Sequence, residues 1–189
     1  MPIEESLSPG GNLMFKRGNL FVPSKMAYVR GERPNVDCIF CAIRERHSEV
    51  DNLEVHRTDH FIVSANLYPY NPGHLLLLPK RHILTPVDLT EEEETELNKL
   101  QRLCLKTLEK IYHPQGYNVG YNIGRIAGGS IEHLHMHIVP RYMNEIGFID
   151  ILNNDRIMVE DPRITMEKLS IQFTLSANMD QSTENKKDP

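Results

Sequence analysis

The sequence has no apolar run approaching the roughly 20 residues that cross a bilayer, so it predicts no membrane span. The longest candidate is Leu75–Leu78 with its flanks, which is strand-sized. Cysteine is scarce too, with three in 189 residues. The opening MPIEESLSPGG is acidic and polar, unlike a secretory signal or transit peptide. Together these features predict a reducing, cytoplasmic setting and exclude a disulfide scaffold. Excess basic charge is also missing. The 21 Lys and Arg against 26 Asp and Glu leave a net charge of −5. That argues against a protein tracking long nucleic acid by bulk charge. Hydrophobic residues make up 40% and charged residues 25%, enough to bury one core. Composition therefore leaves a single-domain enzyme or small-ligand binder.

Residues 1–36 are rich in Pro, Gly and charge and read as an extended arm. The tail 177–189 (ANMDQSTENKKDP) has almost no apolar residues and is expected to be disordered. Between them lie a folded unit over 37–150 and a C-terminal extension over 151–176. Leu53–His56 and Phe61–Ala65 read as a hairpin across Arg57-Thr58-Asp59. Gly73–Pro79 reads as a strand buried on both faces. Thr90 can cap a helix, with Glu93 completing a capping box. Leu97, Leu100, Cys104, Leu108 and Ile111 give that helix one apolar stripe, and Pro114 and Gly116 stop it. On that stripe Cys104 reads as a small apolar filler. Tyr117–Ile123 and Ile131–Val139 alternate as strands, joined by the glycine-rich loop Gly124–Ser130. If they pair antiparallel, the Asn118, Gly120 and Asn122 face shares a surface with the histidines. Strands, a long helix, then more strands predict an α+β fold with a mainly antiparallel sheet.

The strongest chemical signal is His133-x-His135-x-His137. Strand alternation puts three imidazoles on one face, about 6.6–7 Å per two-residue step, while Leu134, Met136 and Ile138 take the other. One metal binding all three is possible but strained by that spacing; the alternative is that two adjacent histidines share a metal and the third is free for other work. Cys38-x-x-Cys41 supplies half of a tetrahedral zinc site or, alternatively, a redox dithiol. Nearby histidines favour zinc, with His82 and one member of the triple as partners. His74 sits at the mouth of the buried strand. Gly128-Gly129-Ser130 can present backbone N–H groups to a phosphate. Arg141 either adds charge to such a phosphate or stands in solvent.

With these residues in place, the sequence resembles the histidine triad (HIT) superfamily of nucleotide hydrolases and transferases. His133-Leu-His135-Met-His137-Ile138-Val139 fits its signature of histidines alternating with apolar residues. Asn66…Pro72-Gly73-His74 and Pro79-Lys-Arg-His82 match its upstream segments. The stretches NLYPYNPGHL and GGS-x-EHLH most resemble the bacterial diadenosine tetraphosphate phosphorylase-like branch. The resemblance implies a five-stranded antiparallel sheet with one long helix and a shorter one, paired into a homodimer with a continuous sheet. It implies that His135 is the nucleophile, with His137 and His74 around the phosphate. Asn66 falls on the ribose side, Asn122 near the phosphate, and Gly128, Gly129 and Ser130 in the phosphate loop. Cys38, Cys41, His82 and His133 would hold a structural zinc. The implied activity is cleavage of dinucleoside polyphosphates by phosphorolysis or hydrolysis. Hydrolysis of adenylylated small molecules, such as nucleoside phosphoramidates, and a nucleotide-binding interaction protein are the alternatives. Retention of His137, where many transferases carry glutamine, leans toward hydrolysis, while the surrounding stretches lean toward phosphorolysis, and both readings stay open.

Overall fold

The computed structural model describes residues 34–143 and 160–184, with side chains through Leu175. Apart from 34–36, the N-terminal arm therefore lies outside the described residues. The elements are α1 (Ile39–Glu45), β1 (Glu54–Arg57), β2 (Phe61–Ala65), β3 (Leu75–Pro79), α2 (Glu91–Tyr112), β4 (Gly116–Tyr121), β5 (Met136–Arg141) and α3 (Pro162–Glu184). The five strands form one sheet in the order β1-β2-β3-β5-β4, and every neighbouring pair is antiparallel.

The run of leucines in β3 has a simple cause. Side chains alternate across a strand. Leu75 and Leu77 face one way, into a core with Val63, Ile138, Leu100, Cys104 and Leu108. Leu76 and Leu78 face the other, against Phe40 and Ile43 of α1. A strand covered on both faces reads as continuously apolar. The long helix α2 starts where its sequence dictates. The Thr90 hydroxyl accepts from the Glu93 N–H, and the Glu93 carboxylate accepts from the Thr90 N–H. His113 ends it in the left-handed region, φ 45°, one residue before Pro114.

A third helix, α3, joins the long and short ones. It lies against β1, β2 and α2, and buries Leu169 and Phe173 in the same core as the α2 stripe. It runs past Ala177 to Glu184, into the stretch expected to be disordered. Among its described side chains Thr165, Leu169 and Phe173 are buried, a four-residue step that makes one helix face. With α2 and α3 covering one face, the other carries α1 at β2–β3 and is left open along β5–β4.

Strand β5 begins later than alternation predicts, at Met136 and not Ile131. Residues 133–135 spend their hydrogen bonds elsewhere. The Leu134 N–H donates to Ile83 O, the His133 ring to Pro79 O and the His135 ring to His133 O.

Candidate functional site

The histidines gather on the open side of the sheet at the β5–β4 edge. Pairing in register places Gly120 opposite His137 and Asn118 opposite Val139, so the Asn/Gly face of β4 does share a surface with His137. Phe40 of α1 abuts both His133 and His135, with ring centroids 5.7 Å and 4.9 Å away.

Two hydrogen bonds divide the triple. His135 Nδ1 lies 2.7 Å from His133 O. A carbonyl only accepts, so Nδ1 carries the proton and Nε2 keeps its lone pair. His133 Nε2 lies 2.9 Å from Pro79 O, which by the same logic makes His133 Nδ1 the lone-pair nitrogen. That nitrogen stands 3.4 Å from Cys38 Sγ and 3.6 Å from Cys41 Sγ, while His82 Nδ1 is 3.4 Å from Cys41 Sγ. All four ligand atoms fall within 4.8 Å of one another. Tetrahedral Zn–S and Zn–N bonds imply ligand–ligand edges of about 3.3–3.8 Å. The donor set and its spacing therefore fit zinc, and the oriented His133 is the arrangement a metal ligand needs. Burial, then the neighbouring Cys38, pushes the Cys41 thiol up to about 11, so a cation binding there would displace protons.

His137 belongs to a second chain of contacts. The Tyr70 N–H donates to His74 Nδ1 at 3.0 Å. His74 Nε2, 3.0 Å from His137 Nδ1, is therefore the protonated nitrogen and donates onward. The His137 proton is left on Nε2, which is sealed from solvent and has no partner among the described residues. The His135 and His137 ring centroids are 4.8 Å apart. An attacking lone pair and a hydrogen-bond donor thus stand side by side. Burial lowers the pKa of every member, to about 3 for His74 and about 4 for His133 and His137. For His135 the direction is also down, with burial its largest cause. All four are neutral near pH 7.

The loop that carries His74 is fixed at both ends. Asn71 Nδ2 donates to Pro140 O of β5 at 2.6 Å. Gly73 takes φ +79°, and a Cβ there would meet Leu108 and Tyr112 of α2 at 3.1 Å, so that turn accepts glycine best. Asn66, expected on the ribose side, spends its amide within the loop. Its Oδ1 accepts from the Tyr68 N–H at 3.0 Å and its Nδ2 lies 3.2 Å from His74 Nδ1. Gly128 and Gly129, expected to offer amides to a phosphate, donate them to Arg125 O and Gly124 O and so brace their own loop. A Cβ on Gly129 would come within 2.6 Å of Asn122 O, which holds that loop close to Asn122. Ser130, exposed, follows it directly.

Sequence reasoning missed Tyr70. Its ring stacks on both His74 and His137, at 5.0 Å and 6.1 Å between centroids, and its backbone N–H sets the tautomer chain. The signal was the turn Pro69-Tyr70-Asn71-Pro72, whose geometry brings that amide back to His74. A groove of about 300 Å³ runs from Tyr70 and His137 along β4 to Arg141. A second hollow of about 260 Å³ lies on the far side of His135, against Leu84, Ile123, Arg125 and Ile131.

The HIT domain model matches residues 47–144, which include the whole triple. The chain belongs to the HIT family. An AP-4-A phosphorylase of Mycobacterium tuberculosis (strain ATCC 25618 / H37Rv) is 37% identical over 127 residues, 67% of this chain. The chain spans 65% of that relative's length. A Bis(5'-adenosyl)-triphosphatase of Dictyostelium discoideum is 37% identical over 96 residues, 51% of this chain and 61% of the relative. Among solved HIT structures, a hypothetical histidine triad nucleotide-binding protein from Sulfolobus tokodaii strain 7 aligns with TM-score 0.60 at 26% identity. That alignment covers 73% of this chain and 93% of the other. The five-stranded antiparallel HIT fold is thus the fold of this chain. Among the described residues no helix is long and apolar enough to cross a membrane.

Proposed function

We propose that this HIT protein cleaves dinucleoside polyphosphates by nucleotidyl transfer through His135. The observation that carries the reading is the His135 Nδ1–H bond to His133 O, which leaves Nε2 as a lone pair beside the His137 donor. His135 Nε2 attacks the α-phosphorus, a P–N bond forms, and the P–O bond to the departing polyphosphate breaks. The imidazole becomes positively charged, and its Nδ1–H bond to the His133 carbonyl then strengthens. The His137 Nε2–H stabilises the negative charge on the departing oxygen, and Tyr70 and His74 hold that tautomer. A second nucleophile then attacks phosphorus and releases His135. Orthophosphate yields a nucleoside diphosphate; water yields a monophosphate.

The names of two relatives, one a phosphorylase and one a triphosphatase, support this substrate class. Cys38, Cys41, His82 and His133 would hold a zinc, tying α1 to the exit of β3 and to the triple; with four protein donors filling a tetrahedral set, its contribution would be structural. The outer edge of β4 is where a second copy would continue the sheet. A nucleoside phosphoramidate is the second reading, because the same nucleophile serves any leaving group on an α-phosphorus.

Incubation with diadenosine tetraphosphate, with and without orthophosphate, tests the proposal when products are separated by anion exchange. ADP plus ATP appearing only with phosphate supports a phosphorylase. AMP plus ATP in both arms supports a hydrolase. No turnover in either arm overturns the dinucleotide reading and favours phosphoramidates. His135→Ala is expected to abolish all of these activities.

A further inference from the structure

The peptide unit between His133 and Leu134 is held at both ends. Its carbonyl, His133 O, accepts from His135 Nδ1, and its N–H, on Leu134, donates to Ile83 O at 2.6 Å. A trans peptide unit is planar, so anchoring the N–H points the carbonyl the opposite way. A sheet would ordinarily aim such a carbonyl, but the β5 ladder begins only at Met136. Here the segment 79–83 supplies the aim. Pro79 O accepts from the His133 ring at 2.9 Å, and Ile83, which accepts from Leu134, directly follows His82. His82 and His133 are the two histidines of the candidate metal cluster, and their rings meet edge to face with centroids 4.9 Å apart. The cluster's two histidines therefore flank the contacts that orient the peptide unit: His133 supplies its carbonyl, and His82 adjoins the acceptor of its N–H.

We propose that the metal site also positions the nucleophile: a cation shared by His82 and His133 clamps the 133–134 peptide unit, whose carbonyl then holds the His135 proton on Nδ1 and leaves the lone pair on Nε2. This rests on the reading of His135 as the nucleophile. His82 and His133 act as positioning residues, since a metal among them and the two cysteines touches neither substrate nor reacting atoms. The oriented bond gains most as His135 becomes cationic on attacking phosphorus, because a charged donor bonds about twice as strongly as a neutral one. Occupancy of the site therefore acts on the nucleotidylation step and leaves nucleotide affinity nearly unchanged. The geometry also fixes the ligating atom. With Nε2 on Pro79 O, His133 turns Nδ1 to the thiols, 3.4 Å from Cys38 Sγ and 3.6 Å from Cys41 Sγ. A ligating histidine whose other nitrogen donates to a backbone carbonyl has its tautomer and ring orientation fixed.

The test compares the full chain loaded with zinc and after chelation, at a temperature where circular dichroism shows both folded. Ring-nitrogen chemical shifts report which nitrogen of His135 carries the proton. The loaded protein is expected to show Nδ1–H alone, and the chelated protein a mixture of tautomers. On chelation the rate of His135 nucleotidylation by diadenosine tetraphosphate is expected to fall about tenfold or more, the worth of one charge-assisted hydrogen bond. Affinity for AMP is expected to stay within about twofold. His82→Ala is expected to reproduce chelation, and zinc-loaded His82→Cys, which returns a ligand, to restore both readouts. A single Nδ1–H tautomer after chelation, or a rate within about threefold of the loaded protein, overturns the inference. An AMP affinity that falls as far as the rate overturns it too. If the loaded wild type transfers no nucleotide, the function reading fails by itself and the tautomer decides. If chelation unfolds the chain, loading with an NMR-active cadmium isotope decides. Coupling from the metal to His133 Nδ1, with His135 protonated on Nδ1, supports the clamp. Coupling to His133 Nε2, no coupling to His133, or a proton on His135 Nε2 overturns it.

Discussion

His74 Nε2 stands 3.0 Å from His137 Nδ1, and a backbone amide sets the direction of that bond. Because the Tyr70 N–H occupies His74 Nδ1, His74 can only donate to His137, and His137 can only keep its proton on Nε2. The orientation of a catalytic candidate on β5 is thus decided by a turn between β2 and β3.

Removing His74 frees His137 to adopt either tautomer. His74→Ala is expected to lower the rate of His135 nucleotidylation by about 10²-fold, the usual weight of one positioned proton donor. Rapid-quench measurement of the covalent intermediate checks it, since substrate binding elsewhere in the groove is not removed. A nucleotidylation rate within about twofold of wild type would show that the tautomer chain is idle.

The buried imidazoles also set the acid stability. Burial holds His74 at about 3 and His137 at about 4, against 6.5 for an ordinary histidine. Below pH 6.5 the unfolded chain binds protons that the folded one refuses, so stability falls as pH falls. The full contribution is present above pH 6.5 and is lost progressively down to the folded values. Tm is therefore expected to be flat in this respect at neutral pH and to drop steadily from about pH 6.5 toward 4. His74→Gln, which cannot take up a proton, is expected to flatten that slope. An equal slope in the variant would assign the acid sensitivity to other groups.

Much of this arrangement is legible in the sequence, and the exceptions have physical causes. Thr90 and Glu93 announce the start of α2 because capping is local. The leucines of β3 and the alternation from His133 to His137 announce burial and facing, which depend on period alone. The late start of β5 is not legible, because Pro79 O and Ile83 O, which draw His133 and Leu134 off the ladder, are more than fifty residues away. The tautomer chain through Tyr70 is hidden for a related reason: it uses a backbone N–H, which every residue but proline has. Helix α3 was signalled by Thr165, Leu169 and Phe173, but the face they form acquires meaning only against the core it covers.

A zinc held by Cys38, Cys41, His82 and His133 would tie α1, the β3 exit and the triple together at one point. Metal removal is expected to destabilise the chain by about 4 kcal/mol where the metal stands a thousandfold above its Kd. A chelator titration followed by thermal melting reads this, and elemental analysis of the protein as purified gives the metal and its stoichiometry. Cys41→Ser is expected to lose both the metal and the response to chelator. A melting temperature indifferent to chelator in a metal-loaded protein would remove the structural role.

Glu93 joins two jobs that sequence reasoning saw as one. Besides capping α2, its carboxylate accepts from both Nε and Nη2 of Arg81, each at 2.7 Å, and its side chain is only 2% exposed. Arg81 adjoins His82, so the pair pins the helix start to the segment carrying a metal-ligand candidate. The paired arginine holds the Glu93 carboxyl down at about 2. A carboxyl depressed in the folded state contributes stability above 4.5 and loses it as pH falls through the folded value. Glu93→Gln keeps the shape and removes the charge, and it is expected to cost about 2 kcal/mol at pH 7. Near pH 2, where the wild-type carboxyl is itself protonating, the difference between the two proteins is expected to shrink. Urea denaturation at several pH values measures it, and a gap that does not narrow in acid would mean that charge is not what the Arg81 pair supplies.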